Sequence, residues 1–287
     1  MARIAIIGGG SIGEALLAGL LRAGRQVKDL VVVERMPDRA RYLSEKYSVR
    51  LASVAEAVEN AGFVIVAVKP ADAEAVAGEI AEAAAHAESE SVEQVLVTVV
   101  AGITIGFYES RLPAGFPVVR VMPNAPALVG AGVSALAKGR FASPEQLAEV
   151  SGLFESVGGV LTVPESHLDA VTAVSGSGPA YFFLFIEALV DAAVANGLTR
   201  AVATELAVQT MAGSAAMLLE HIETEQDRGA DSGLDTTPAR LRAIVTSPGG
   251  TTAAGLRELE RGGVRAAIAA AIDAAKTRSE QLGVTSE

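Results

Sequence analysis

The chain has 287 residues, of which 50% are hydrophobic, and its formal net charge is −11. It is long enough for two domains of ordinary size and apolar enough to fill their cores, which argues against extensive disorder. The acidic balance argues against a general nucleic-acid or anionic-membrane surface, because phosphates and acidic lipids repel an acidic protein. The chain has no cysteine, which excludes disulfides, a thiolate nucleophile and a sulfur-ligated metal.

The sequence also gives no sign of a metal site or a membrane span. Its three histidines, His86, His167 and His221, lie far apart and lack the spacing of metal ligands. No stretch reaches the roughly 18 uncharged apolar residues typical of a membrane helix. We therefore expect a cytoplasmic protein without a bound metal and without membrane or nucleic-acid partners.

The first predicted strand, residues 2–7, runs directly into glycines spaced as G-x-G-x-x-G and then into a helix. In this arrangement Gly8 makes the tight turn, Gly10 lets a pyrophosphate approach the backbone, and Gly13 lets the helix pack close to the strand. Ser11 and Ile12 lie at the helix N-terminus, where free N–H groups and the helix dipole favour phosphate. The pattern predicts a dinucleotide-binding turn, against the alternative of a tight turn that binds nothing.

An acidic residue follows the second predicted strand, residues 29–33, as it does in dinucleotide-binding folds. Glu34 suits the ribose 2′-hydroxyl of NADH and repels a 2′-phosphate. The next residue, Arg35, can instead pair with that phosphate or stack on the adenine. These two signals conflict, and we expect both NADH and NADPH to bind.

Three further strands are predicted at residues 63–68, 94–100 and 118–122, with helical segments between them. This alternation indicates a doubly wound parallel sheet covered on both faces. Ligands in such sheets bind beyond the strand C-termini, so we expect Lys69, Ala101 and Gly102 to line the cofactor cleft.

The second part of the chain is predicted to be helical. A serine cap, a proline and a glutamine at residues 143–146 predict a helix that runs to about Ser156. After Pro164 no strand-like run remains, which gives predicted domains at residues 1–163 and 164–287. The helices there are predicted at 177–197, at 199–223, from Thr237 onward and at 264–282, with a solvated loop at 224–235.

The predicted helix at 177–197 is apolar around nearly its whole circumference. Such a helix must be buried on all sides. The rest of the tail could cover it, but an extended dimer interface would do so more easily, and we expect an obligate homo-oligomer.

A second glycine cluster, residues 247–252, interrupts the C-terminal helices with the sequence SPGGTT. Such a loop can offer backbone N–H groups and hydroxyls to a carboxylate. Taken alone, it is also compatible with an ordinary turn between helices in which a threonine caps the second one.

Five motifs together resemble the pyrroline-5-carboxylate reductases. They occupy residues 6–13, 67–70, 121–126, 169–181 and 247–252, within a resemblance that spans residue 3 to about 282. It implies an α/β fold in which an N-terminal Rossmann-like doubly wound domain is followed by an all-α C-terminal dimerisation domain. It also implies a homodimer formed through the C-terminal helices, often assembled into a decamer, with the substrate at the dimer interface.

The resemblance assigns roles to residues of this chain. It places the phosphates of NADPH or NADH at Gly8 to Gly13 and the nicotinamide near Val68, Lys69, Pro70, Ala101 and Asn124. It places 1-pyrroline-5-carboxylate at Glu165, Ser247, Gly249, Gly250, Thr251 and Thr252. The Thr252 hydroxyl would reach the ring nitrogen, where it orients the ring, since a threonine is a poor general acid at neutral pH. Glu165 could equally be a solvated carboxylate in the first turn of a helix.

The implied reaction is hydride transfer to C5 of a cyclic imine, which needs no activated nucleophile. An asparagine that reaches the adenosine in the family is replaced near Val54, which also points to use of both cofactors. Two other interpretations are a β-hydroxyacid dehydrogenase and a noncatalytic dinucleotide sensor or scaffold. The first predicts a lysine on the helix at 177–197, which has none.

Overall fold

The computed structural model describes residues 2–86, 93–227 and 237–284. Contacts within the chain divide it into two compact units, one of Met1–Pro179 with Ile272–Glu287 and the other of Ala180–Ala271. This division falls after Pro179, whereas the sequence predicts a boundary between residues 163 and 164, which stays a prediction.

Among the described residues the first unit holds one mixed sheet. Its strands are β1 (Arg3–Ile7), β2 (Leu30–Val33), β3 (Arg50–Leu51), β4 (Ala61–Val66), β5 (Val95–Thr98), β6 (Val118–Met122), β7 (Gly132–Lys138) and β8 (Gly158–Thr162). The described helices are α1 (Ser11–Arg22), α2 (Pro37–Tyr47), α3 (Val54–Val58), α4 (Ala73–His86), α5 (Ile105–Glu109), α6 (Pro144–Phe154), α7 (Leu168–Val171), α8 (Gly178–Ala195), α9 (Arg200–Asp227), α10 (Thr237–Ile244), α11 (Thr251–Arg261) and α12 (Val264–Val284).

The strand order is β3-β2-β1-β4-β5-β6-β7-β8, and the chain reverses direction across the sheet between β1 and β4. This is the doubly wound order, in which the crevice at the reversal binds the ligand. The first six strands are parallel, but β7 pairs antiparallel with β6 and parallel with β8. The five predicted strands, β1, β2, β4, β5 and β6, are all parallel as expected, and the doubly wound fold is confirmed. Strands β3, β7 and β8 were not predicted, and the antiparallel pairing lies among them.

Alternate residues of the central strands feed two separate hydrophobic cores. Ala5 and Ile7 of β1 belong to one core, and Ile4 and Ile6 belong to the other. All four side chains are buried. The sheet is therefore covered on both faces, as the continuous apolar runs of its strands predict.

The predicted helix after residue 143 begins as expected, because Ser143 and Gln146 form a reciprocal capping box at the start of α6. The loop predicted at residues 224–235 can be compared with the structure only over its first four residues. Residues 224–227 continue α9, which is a correction, and residues 228–235 lie outside the described part of the chain. Favourable helix propagation from a long preceding helix outweighs the polar composition there.

Helices α8 and α9 expose large apolar side chains within the single chain. In α8 these include Phe182, Phe183 and Leu184, of which Phe183 is 69% exposed. By length and composition alone, Glu165–Ala195 and Arg200–Ile222 could each cross a membrane. Within the described part of the chain these side chains remain exposed.

The turn between β1 and α1 is set by two glycines. Gly8 has a φ of +107° and its N–H donates to the Val33 carbonyl at 2.9 Å. A Cβ on Gly13 would collide with the Gly8 carbonyl oxygen, and a Cβ on Gly8 would collide with the Ala67 carbonyl. The strand, the helix and the neighbouring strand thus meet at distances that only glycine permits.

We expect Gly13→Ala to lower the free energy of unfolding by about 2 kcal/mol or more, because the new Cβ collides with backbone and the N–H of Gly8 is bound to the Val33 carbonyl of β2. The matched control is Gly78→Ala in α4, where an added Cβ meets nothing within 4 Å. That change should stabilise the protein by about 0.5–1 kcal/mol, as alanine does in an exposed helix. Urea unfolding of both variants at one protein concentration checks this, and equal effects of the two would contradict it.

Candidate functional site

A cavity of about 1000 Å³ opens beyond the carboxyl ends of β1, β2 and β4 in the first unit. It brings together seven of the residues predicted to hold the cofactor: Gly8, Gly10, Ser11, Glu34, Arg35, Val68 and Lys69. Sequence reasoning missed other residues of its wall, among them Glu14, Met36, Arg39, Asp72, Glu79 and Leu128. Their signal was weak, because they come from helices and loops whose approach to the glycine turn depends on the fold.

The N-terminus of α1 suits a phosphate group. The first N–H groups of a helix have no carbonyl partner within it, and here the helical bonds begin at the N–H of Glu14, which donates to Gly10. A Cβ placed on Gly10 would meet nothing within 4 Å, so open space lies beside this backbone. Free donors, the helix dipole and the adjoining cavity together fit the pyrophosphate of a dinucleotide.

Charged side chains bind both the N–H and the carbonyl of Gly9. Its N–H donates to Glu34 Oε2 at 3.0 Å, and its carbonyl accepts from Arg39 Nε at 2.7 Å. Glu34 Oε1 accepts in turn from the Met36 N–H at 2.8 Å. The carboxylate predicted to bind the ribose is thus oriented by backbone donors on two sides.

Both arginines of the cavity wall are paired with carboxylates. Arg35 Nη2 lies 2.6 Å from Asp72 Oδ1. Arg39 donates from Nη2 to Glu14 Oε2. The positive charge that could receive a 2′-phosphate therefore already has protein partners.

Several predicted cofactor residues lie outside the cavity wall. Ile12 packs against the hydrophobic core, Gly13 is buried, and Pro70 begins a short 3₁₀ turn. Ala101 and Gly102 follow β5. A Cβ added to Gly102 would lie 3.3 Å from the carbonyl carbon of Leu282. The cofactor roles of these residues stay predictions.

Asn124 is engaged in the fold through both ends of its amide. Its Nδ2 donates to the Ser175 carbonyl at 3.2 Å, and its Oδ1 accepts from the Val133 N–H at 2.9 Å. Ser175 lies four residues before Pro179, which has no N–H to offer that carbonyl. Asn124 supplies the missing donor beside the π-helical turn at Thr172–Gly176. Its contact with the nicotinamide stays a prediction.

Glu165 is bound within the first unit and is not simply solvated. Its Oε1 accepts from the Ile105 N–H at 2.7 Å and from Arg120 Nη1 at 3.1 Å. The Arg120 side chain is 8% exposed, and that of Glu165 is 32% exposed. The carboxylate therefore neutralises a buried arginine of β6, which is the role its environment supports directly; a role toward substrate stays a prediction.

The loop at residues 247–252 lies in the second unit and forms a tight turn. The Gly250 N–H donates to the Ser247 carbonyl at 3.0 Å, and Gly249 has a φ of +71°. Gly250 precedes α11 without a side-chain cap, and Thr251 and Thr252 are exposed. The Gly250 N–H is thus used in the turn, whereas the first N–H groups of α11 have no helical acceptor.

Comparison with known proteins identifies the family. A model described as pyrroline-5-carboxylate reductase dimerisation matches residues 165–282, and one described as NADP oxidoreductase, coenzyme F420-dependent, matches residues 3–102. The pyrroline-5-carboxylate reductase of Mycobacterium tuberculosis is 72% identical over 100% of this chain and 99% of its own. This chain belongs to the pyrroline-5-carboxylate reductase family.

Solved structures of the family agree with this assignment. A pyrroline-5-carboxylate reductase of Coxiella burnetii is 32% identical, with a TM-score of 0.85 and coverage of 98% of both chains. A Plasmodium falciparum pyrroline carboxylate reductase solved with NADP bound is 28% identical, with a TM-score of 0.81 and 98% coverage of both chains. The α/β fold with a helical dimerisation domain, predicted from the sequence, is confirmed, as is the family.

Glu14 links the cavity wall to α2 through a cluster of donors. Its Oε1 accepts from Tyr47 Oη at 2.8 Å and from Lys46 Nζ at 3.0 Å, in addition to the bond from Arg39. Burial raises the pKa of Glu14, but the hydrogen bonds from Tyr47, Lys46 and Arg39 outweigh it and lower the pKa to about 2. The carboxylate therefore stays ionised at any physiological pH.

We expect Glu14→Gln to cost on the order of 2 kcal/mol of stability at pH 7. Because the pKa is lower in the folded than in the unfolded state, this stability is complete above the unfolded value of 4.5 and is lost as the pH falls toward about 2. The free energies of unfolding of wild type and variant should therefore converge at acid pH. Denaturant unfolding between about pH 7 and pH 3 measures this.

The control is Glu45→Gln, an exposed carboxylate on α2, the helix that carries the donors to Glu14. Its effect should stay within about 0.5 kcal/mol at every pH. A Glu14→Gln penalty that does not change between these pH values would contradict the role given to the ionised carboxylate.

Proposed function

We propose that this chain reduces 1-pyrroline-5-carboxylate to L-proline with NADH or NADPH as the reductant. The observation that carries the proposal is the 72% identity, over the whole chain, to a pyrroline-5-carboxylate reductase. The cavity at the glycine turn supports it, because seven of the residues expected to hold a dinucleotide line it together. The absence of cysteine agrees with a reaction that needs no thiolate.

In this proposal the cofactor supplies a hydride from its reduced nicotinamide. Its phosphates bind at the N-terminus of α1, with Gly8, Gly10 and Ser11 forming the cradle. Val68 and Lys69 lie at the same cavity and define the nicotinamide side together with the residues that follow β4, β5 and β6. These are Pro70, Ala101, Gly102 and Asn124.

The substrate carboxylate is proposed to bind at the start of α11. Thr251 and Thr252 offer N–H groups without helical acceptors and are exposed to a ligand. Ser247 and Gly249 shape the turn that presents them, while Gly250 contributes its conformation, since its N–H is used. Glu165 completes the predicted set.

Thr252 is proposed to orient the substrate by a hydrogen bond to the ring nitrogen. A protonated imine is already electrophilic, so the protein contributes mainly by fixing the ring relative to the hydride donor and excluding water. A threonine hydroxyl provides direction without having to transfer a proton.

We expect wild-type protein to oxidise NADH or NADPH when 1-pyrroline-5-carboxylate is supplied. Thr252→Ala should lower kcat/KM for the imine by about 10-fold to 100-fold, because a hydrogen bond to the reacting ring is lost. Thr252→Ser keeps the hydroxyl and should retain most of the activity. Initial rates followed at the nicotinamide absorbance, with the imine as the varied substrate, measure both effects.

Two results would contradict these assignments separately. Full turnover by Thr252→Ala would remove the role of Thr252 while leaving the reductase in place. Absence of turnover with either cofactor, in protein shown to bind one of them, would remove the reductase and favour a dinucleotide sensor or another dehydrogenase.

We further propose that the exposed apolar side chains of α8 and α9 form a homodimer interface, on which a decamer could be built. The supporting observations are the dimerisation model over residues 165–282 and the exposure of Phe182, Phe183 and Leu184. These helices also have the length and composition of membrane spans. In this proposal a second copy of the chain covers them, in the cytoplasm, and a lipid bilayer does not.

We expect the wild-type chain to sediment as a dimer or a larger assembly in buffer without detergent. Phe183→Glu should shift it to smaller species, because a buried unpaired charge is costly. Leu161→Glu, at an exposed apolar position of β8 outside the dimerisation match, is the control and should leave the assembly unchanged. A monomeric wild type, or one recovered only with membranes, would contradict the dimer.

A further inference from the structure

The adenosine end of the cofactor cavity is crowded with charge. Four carboxylates line the cavity wall, from Glu14, Glu34, Asp72 and Glu79. Three cationic side chains share this wall, from Arg35, Arg39 and Lys69, and Lys69 is the one proposed to lie at the nicotinamide side. How these groups are paired decides whether a 2′-phosphate, which adds nearly two negative charges, finds a cation free to receive it.

Arg39 already binds two groups that stabilise the glycine turn. Its Nε donates to the Gly9 carbonyl at 2.7 Å, and its Nη2 donates to Glu14. Moving this guanidinium to a phosphate would break two bonds that hold α2 and the turn together. Arg39 is therefore a poor receptor for an added phosphate.

Arg35 is the other candidate, and Asp72 holds it. The Arg35 guanidinium lies 2.6 Å from Asp72 Oδ1 and is 71% exposed, whereas Asp72 is 27% exposed. Asp72 is itself fixed, because it lies in the 3₁₀ turn after Lys69 and its N–H donates to the Lys69 carbonyl at 2.9 Å. An exposed arginine is thus paired with a carboxylate whose backbone is fixed in a turn.

Glu34 adds a repulsive element at the same place. Two backbone N–H groups, of Gly9 and Met36, orient its carboxylate. It takes part in none of the ion pairs found among residues 2–86, 93–227 and 237–284, and it interacts with the neighbouring Arg35 only through its charge. Such a carboxylate accepts hydrogen bonds from ribose hydroxyls and disfavours a phosphate in their position.

We infer that Asp72 is a specificity-determining residue that holds Arg35 away from a 2′-phosphate, so that the site favours NADH over NADPH. Glu34 reads the ribose hydroxyls, and Asp72 withholds the arginine that would otherwise stabilise the phosphate. The choice of cofactor then depends on a residue after β4 as well as on the residues after β2, where dinucleotide-binding folds usually carry it.

The test measures binding of NADH and NADPH by isothermal titration calorimetry, without substrate, at one fixed low ionic strength. The wild-type dissociation constant for NADH should be at least about fivefold lower than that for NADPH. Asp72→Asn should tighten NADPH binding by about fivefold and change NADH binding by no more than about twofold. The unchanged NADH affinity also shows that the variant is folded.

Two further variants separate a specific contact from a general change in charge. Glu79→Gln removes the same charge from the same cavity wall, at a carboxylate for which no bond to Arg35 is seen, and should tighten NADPH binding less than Asp72→Asn does. Combining Asp72→Asn with Arg35→Ala should cancel the gain. The inference is overturned if wild type binds NADPH as tightly as NADH, if Asp72→Asn leaves the ratio unchanged, if Glu79→Gln equals it, or if the gain survives without Arg35.

Discussion

The close approach of the Gly8 carbonyl to Gly13 is the constraint on which the cofactor site depends. It brings the start of α1 against the end of β1, which puts unpaired helix N–H groups at the edge where the parallel strands end. Because the strand order reverses between β1 and β4, this edge opens into a crevice. The phosphate end of the cavity follows from that contact, and the N–H of Gly9 in the same turn helps to orient Glu34.

Charged side chains hold the backbone of this turn in place. Glu34 accepts from the N–H of Gly9, Arg39 donates to the carbonyl of Gly9, and Glu14 accepts a further bond from Arg39. Glu34 belongs to this network and also lines the cofactor cavity. A substitution of Glu34 is therefore expected to alter both the rigidity of the loop and the binding of the ribose.

Much of this arrangement was predictable from local sequence. The glycine spacing, the buried β-branched run of β4 and the capping box of α6 are local patterns with local physical causes. Strands β7 and β8 were missed because nothing local marks them. The sequence GVSALAK of β7 has as much helical as strand character, and β8 begins with two glycines. Pairing with β6 and with each other makes them strands.

The site shows the same division. Residues in the glycine motif could be placed by spacing, whereas Asp72 and Arg39 reach the cavity only through the packing of their elements. Asn124 and Glu165 could be named from motifs, yet their partners in the fold, Ser175 and Arg120, could not. Hydrogen-bond partners distant in sequence depend on tertiary structure that no single segment encodes.

Gly9 has no assigned function in the G-x-G-x-x-G pattern, yet the structure leaves it no room. A Cβ at this position would collide with Leu43 and lie 3.0 Å from Glu34 Oε2. In a family member with a shorter residue in place of Glu34 and a smaller one in place of Leu43, the same space would accept a side chain. Positions 9, 34 and 43 should therefore change together as the family diverges. Where the residue at position 34 changes and ribose recognition changes with it, position 9 of the glycine loop should be free to change as well.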